Sequence, residues 1–296
     1  MKRLITSAGY VAFLVVFFLL KAYMNNSAWF DIPIYAFSLV GTYEILNAID
    51  KDVPADGKKI SPFQKIVVWC YAGAFVPLYV LLEQTLGMGV HAMFFLTVAC
   101  FSVIFLSFVI SYDATSIEGT GKALFACFYP TGLLCFLLLI NHLADWRLSC
   151  FAVFFTFTVS PCSDSFAYLF GKYLRGKFPK KMSPVISPNK TVVGCIGGLF
   201  GGAFFGVVAY FIYHFIHPDF LILSALWLDI LFCVLLGLAG SLVSEVGDLL
   251  ESAIKRKVGL KDSGKILPGH GGILDRIDST IVMAILMFAA FGITLL

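Results

Sequence analysis

Apolar runs of about twenty residues recur along the whole chain, and no other feature restricts its fold as strongly. A bilayer's hydrocarbon core is ~30 Å thick, which ~20 helical residues cross. In that medium every backbone N–H and C=O must be satisfied within its own segment, so such runs are helices. The runs lie near 4–22, 32–49, 64–82, 91–111, 123–141, 148–170, 192–215, 220–246 and 280–296. The expected fold is all-α: a polytopic integral membrane protein of about nine transmembrane helices with polar inserts on one side. A soluble core is excluded by composition, since a water-facing chain carries roughly a quarter charged residues and this one carries 13%, with 31 Phe.

The first run follows Met1-Lys2-Arg3 and resembles a secretory leader. Lys21 is, however, followed by Ala22-Tyr23-Met24-Asn25-Asn26, which holds no small-x-small cleavage pattern. It is expected to stay as the first span. Basic residues then orient the bundle. With the N-terminus inside and nine alternating spans, 19 of the 21 Lys and Arg fall inside, leaving only Lys21 and Arg147 outside. A bacterial inner membrane with a cytoplasmic N-terminus and cytoplasmic polar inserts is the expected setting.

Eight cysteines lie singly within apolar sequence, with no CxxC pair or Cys–His cluster, so they read as small buried hydrophobes. Gly197, Gly198, Gly201, Gly202 and Gly206 form a stripe suited to close helix–helix packing. Glu44, Asp164 and Glu245 lie within or beside apolar sequence, where a carboxylate must face the bundle interior or a wet cavity.

Two polar inserts carry the chemistry-bearing residues: 160–191 and 248–278. They divide the chain into N-terminal transmembrane helices, 1–143, and a C-terminal catalytic region, 144–296. The first insert holds Asp164, six basic residues from Lys172 to Lys190, and Ser187-Pro-Asn-Lys-Thr191. Its prolines and glycines make it a shaped loop, which suits anion binding. In the second, Asp248, Ser252 and Lys255 fall within a ~60° arc of a helix continuing past the membrane surface. His270-Gly271-Gly272 and Asp275-Arg276-x-Asp278 follow. Glycines admit phosphate oxygens to backbone N–H groups, Lys and Arg neutralise them, and separated carboxylates hold Mg²⁺. Competing phosphate motifs fail: around Gly119-Thr-Gly-Lys122, Ser116 and Ala123 break the P-loop pattern. HExxH, GxSxG and the CDP-alcohol phosphotransferase array do not occur.

The 27-residue stretch Ser252-Ala-Ile-Lys-Arg-Lys-Val-Gly-Leu-Lys-Asp-Ser-Gly-Lys-Ile-Leu-Pro-Gly-His-Gly-Gly-Ile-Leu-Asp-Arg-Ile-Asp278 resembles the signature of phosphatidate cytidylyltransferases, also called CDP-diacylglycerol synthases. Asp164-x-x-Ala-Tyr168-x-x-Gly171 and Ser187-Pro-Asn-Lys-Thr-Val192 are similar to that family too. The N-terminal half matches in hydropathy only. The resemblance implies that CTP and phosphatidic acid, presented in membrane lipid, become CDP-diacylglycerol and pyrophosphate. It implies Asp248, Asp275 and Asp278 as metal ligands, and Lys255 beside them in catalysis. Ser252, Lys190, Ser187, Thr191, His270, Gly271, Gly272, Arg276 and Asp164 would bind substrate. It further implies Mg²⁺, with K⁺ as a candidate second cation, and a homodimer; no nucleic-acid partner is expected. The family often has Lys and Glu where this chain has Asn189 and Val193, so position 193 receives no catalytic role and Lys190 is left as the loop's phosphate contact. The nearest rival is a CTP-dependent lipid kinase of the polyprenol type. A transporter using Glu44, Asp164 and Glu245 as relay acids is disfavoured by the lack of an internal repeat, and a structural scaffold is disfavoured further.

Overall fold

The computed structural model describes residues 2–51, 59–264, 266 and 271–292, and the side chains of all of these but 2–5 and 7. Helices α1 (Lys2–Met24), α2 (Ala28–Ile49), α3 (Pro62–Leu86) and α4 (Gly89–Ile110) lead into α5 (Ile117–Ala126). A π-helical turn (Cys127–Gly132) joins α5 to α6 (Leu133–Asn141). Then come α7 (Trp146–Leu174), a hairpin of β1 (Lys181–Ser183) and β2 (Ser187–Thr191), α8 (Val192–Ile216), α9 (Leu226–Lys257) and α10 (Leu274–Phe291).

Among the described residues, seven segments are long and apolar enough to cross a bilayer: α2, α3, α4, the continuous Ile117–Asn141, α7, α8 and α9. The chain is a multi-pass membrane protein. α1 contributes a shorter apolar stretch, Ala8–Met24. α10 begins six residues before the expected ninth span and takes Asp275, Arg276 and Asp278 into its first turns. α4 leaves Phe94, Phe95, Phe105 and Leu106 uncovered, a face that would aggregate in water and that lipid solvates.

Local signals set the helix ends. Ser61 and Gln64 form a reciprocal capping box behind Pro62, and Gly87 closes α3 at φ 64°, a left-handed value that glycine adopts without strain. Asp145 accepts from the N–H groups of Arg147 and Leu148 at the start of α7. A short two-stranded hairpin interrupts the helices; Lys181 pairs with Thr191 and Ser183 with Ser187, antiparallel.

Two structural units share these elements. The first comprises Met1–Leu138 and Lys255–Asp275, the second Leu139–Ile254 and Arg276–Leu296. In the first, buried hydroxyls link helices: Thr131 lies 2.9 Å from Ser38 and 3.0 Å from Thr42, and Gln64 donates to Ser107 and Thr120. In the second, the glycine stripe is a packing seam, as the sequence spacing predicts. A Cβ at Gly197 or Gly201 would strike Phe170 or Phe166 of α7, and Gly202 lies against the Gly237 backbone of α9.

Candidate active site

In the second unit, α7, β2, α8 and α9 enclose a cavity of about 510 Å³ lined by Asp164, Lys172, Arg175, Lys190, Glu245 and Asp248, among others. The Lys190 amine stands 2.8 Å from Glu245 and 2.6 Å from Asp248. Burial works against its charge, but the Asp248 and Glu245 carboxylates outweigh that and hold the amine above the usual lysine range. The hairpin supplies Lys190, and Thr191 ends it by accepting the Gly194 N–H at 3.1 Å. The expected substrate contact Thr191 is thus also the N-cap of α8. Ser187 sits at the other end of β2, opposite Ser183.

Along α9, Glu245, Asp248 and Glu251 recur every third residue on one face. Ser252 donates to Asp248 at 3.3 Å. Asp278 hydrogen-bonds Glu251, and its Oδ1 accepts from the Ser279 N–H at 2.7 Å. Arg276 is exposed. Among the described residues no three His, Cys, Asp or Glu side chains converge as a ready-made cage. Mg²⁺ needs only one or two carboxylates beside substrate phosphates and water, and the hard oxygens of Asp248, Glu251 and Asp278 fit that demand.

The first unit holds the remaining signature residues. Asp275 pairs with Lys255 at 2.6 Å and accepts from the N–H groups of Ser263 at 3.0 Å and Gly272 at 2.7 Å. Gly271 and Gly272, expected to admit phosphate, lie against carboxylates of the protein: a Cβ at Gly271 (φ +84°) would meet Asp275, and one at Gly272 would meet Glu44. His270, assigned to substrate by resemblance, lies outside the described residues.

In the sequence Glu44 and Glu245 stand out as acids within or beside apolar runs, whereas Glu251 is not singled out. The i, i+3 spacing from Glu245 through Asp248 to Glu251 was the available signal for the last two. Nothing local marks Glu44, because its partners lie about 230 residues away.

A family model described as "Cytidylyltransferase family" matches residues 1–294. Among curated relatives, a protein of Staphylococcus saprophyticus named phosphatidate cytidylyltransferase is 49% identical over 127 residues, which is 43% of this chain and 44% of the relative. One of the same name from Staphylococcus aureus is 46% identical over 129 residues, 43% of this chain and 44% of the relative. A third, from Rickettsia felis, is 40% identical over 125 residues, 42% of this chain and 52% of the relative. Each match therefore spans about half of the relative's length or less.

Proposed function

Since the chain belongs to the cytidylyltransferase family, we propose that it transfers the cytidylyl group of CTP to phosphatidic acid, releasing pyrophosphate and leaving CDP-diacylglycerol in the membrane. The observation that carries this reading is the ion-paired Lys190 between Glu245 and Asp248, in a cavity shared with Asp164. A pocket with one deeply held amine among three carboxylates suits a substrate that arrives as a polyanion together with a cation. The relatives' shared name supplies the substrate pair.

Phosphatidic acid's phosphate is the nucleophile and attacks the α-phosphorus of CTP. Its second pKa is ~6, so it is largely dianionic at neutral pH and needs no dedicated general base. The task left to the protein is to bring two polyanions together. Mg²⁺, held by Asp248 and Asp278, would supply charge neutralisation for both substrates and the departing pyrophosphate. Lys190 would exchange its carboxylate partners for phosphate oxygens, which keeps the amine charged before and after binding. Ser252, Ser187, Thr191 and Arg276 would orient the nucleotide and headgroup. The site faces the cytoplasm of a bacterial inner membrane, where CTP is available, on the strength of the basic-residue distribution.

The test is purified protein in lipid nanodiscs with labelled CTP and phosphatidic acid, with and without Mg²⁺, and with K⁺ or Na⁺ as the monovalent salt. The expected products are CDP-lipid and pyrophosphate in equal amounts. Release of CDP with a phosphorylated lipid alcohol would replace this reading by a lipid kinase.

A further inference from the structure

We propose that Glu44, on α2 in the N-terminal half of the chain, is a positioning residue that holds the backbone before α10 so that Asp275 meets Lys255. The inference rests on the reading of Asp275 and Lys255 as part of a cytidylyl-transfer site.

Glu44 is 1% exposed. Its Oε1 accepts from the N–H of Ile273 at 3.1 Å and its Oε2 from that of Leu274 at 2.9 Å. The preceding amide, Gly272, donates to Asp275 at 2.7 Å. Three successive N–H groups at the opening of α10, which no helical carbonyl can satisfy, are thus committed to two carboxylates. The chain also passes Glu44 closely at two places, since a Cβ at Gly264 or Gly272 would strike its carboxylate. One residue before Gly264, Ser263 donates its N–H to Asp275. Glu44 therefore fixes the backbone at 264 and 272–274, and Asp275 binds the neighbours of both points as well as Lys255.

A cap alone does not account for this choice. A buried Ser or Asn would satisfy one amide at less desolvation cost than a carboxylate. What Glu44 adds is two diverging acceptors that set the direction of successive amides, and so the direction of the side chain that follows. Its two oxygens serve backbone amides, which also removes the basis for treating it as a relay acid.

The experiment compares wild-type protein with Glu44→Gln and Gly272→Ala in nanodiscs. Amide hydrogen exchange at 272–274 is read alongside kcat and the KM for phosphatidic acid, below the melting temperature of every variant. Gln offers one acceptor in place of two, and the Gly272→Ala methyl displaces the carboxylate while leaving Glu44 in the chain. Both variants are expected to exchange faster at 272–274 and to lose about 10- to 100-fold in kcat, with the phosphatidic acid KM unchanged. Added to Asp275→Asn, Glu44→Gln is expected to cost nothing further, because it acts through Asp275. Unchanged exchange at 272–274, a kcat within about twofold of wild type, or a full additional loss on the Asp275→Asn background would each overturn the inference. If wild-type protein itself releases no pyrophosphate, the reaction reading fails, and with it the catalytic part of this inference; exchange alone then decides whether Glu44 holds the segment.

Discussion

Lys190 concentrates the site's electrostatics in one side chain. Replacing it with Met leaves Glu245 and Asp248 facing each other around a partly buried methyl group. Loss of one partner from a buried pair costs ~3–5 kcal/mol, and partial exposure of this one reduces that to about 2 kcal/mol. A thermal melt in detergent at pH 7 checks the figure. The amine is held above its ordinary 10.5, so its contribution is complete below that value and fades as the pH climbs through the raised one. The melting-temperature gap between wild type and Lys190→Met should stay constant from pH 7 to near 10 and close above that. A gap that closes near neutrality would contradict the assigned partners. Asp248→Asn removes one partner of Lys190 together with a proposed cation ligand. It should lower kcat by about 100-fold or more while the protein still elutes as a folded species by size exclusion. Spacing and residue type single out Asp248, Asp275 and Lys255 in the sequence, and the structure pairs the last two. The work of Gly271 and Gly272 was not legible there, since a glycine shows that something approaches closely and never what approaches.

Helices were the most legible elements, because hydrocarbon length and hydropathy impose them directly. Their ends were less so. The eighth span, expected from 220, starts at Leu226. Phe220 to Leu223 are apolar yet non-helical, and Asp229 inside α9 takes the N–H groups of Ile222 and Leu223 at 2.9 and 2.7 Å. A hydropathy window cannot register a buried carboxylate that folds the preceding segment back. At the other end α9 runs on through Lys257, as the arc of Asp248, Ser252 and Lys255 requires. The glycine seam gives a prediction with an internal control. Gly237→Ala places a methyl against the Gly202 backbone, whereas Gly73 in α3 has nothing within 4 Å. The first should destabilise by about 1–3 kcal/mol. Gly73→Ala should stabilise by about 0.5–1 kcal/mol, since alanine is the better helix former. Melts of the two variants in one detergent decide it, and equal effects would mean that the seam is loosely packed.

At the scale of the whole molecule, sequence order and structural grouping part company. Hydropathy and the inserts suggest a division at 143, with the chemistry downstream. The structural units instead interleave, with Lys255–Asp275 grouped with the N-terminal helices. The physical cause is the contact set just described: the backbone at 264 and 272–274 is held by Glu44, far upstream in sequence. A C-terminal fragment of residues 144–296 would carry every residue assigned to catalysis or substrate binding and still lack the carboxylate that shapes the approach to Asp275. Cutting at 143/144 falls in the turn between α6 and α7 and so breaks no helix. Expressed alone, the fragment should release no pyrophosphate from CTP and phosphatidic acid, and its amides at 272–274 should exchange as freely as in Glu44→Gln. Co-expression with residues 1–143 should restore both activity and protection, because the missing contacts are non-covalent. Turnover by the C-terminal fragment on its own would show that α2 is dispensable to the signature segment, and that the N-terminal helices do no more than anchor the chain in the bilayer.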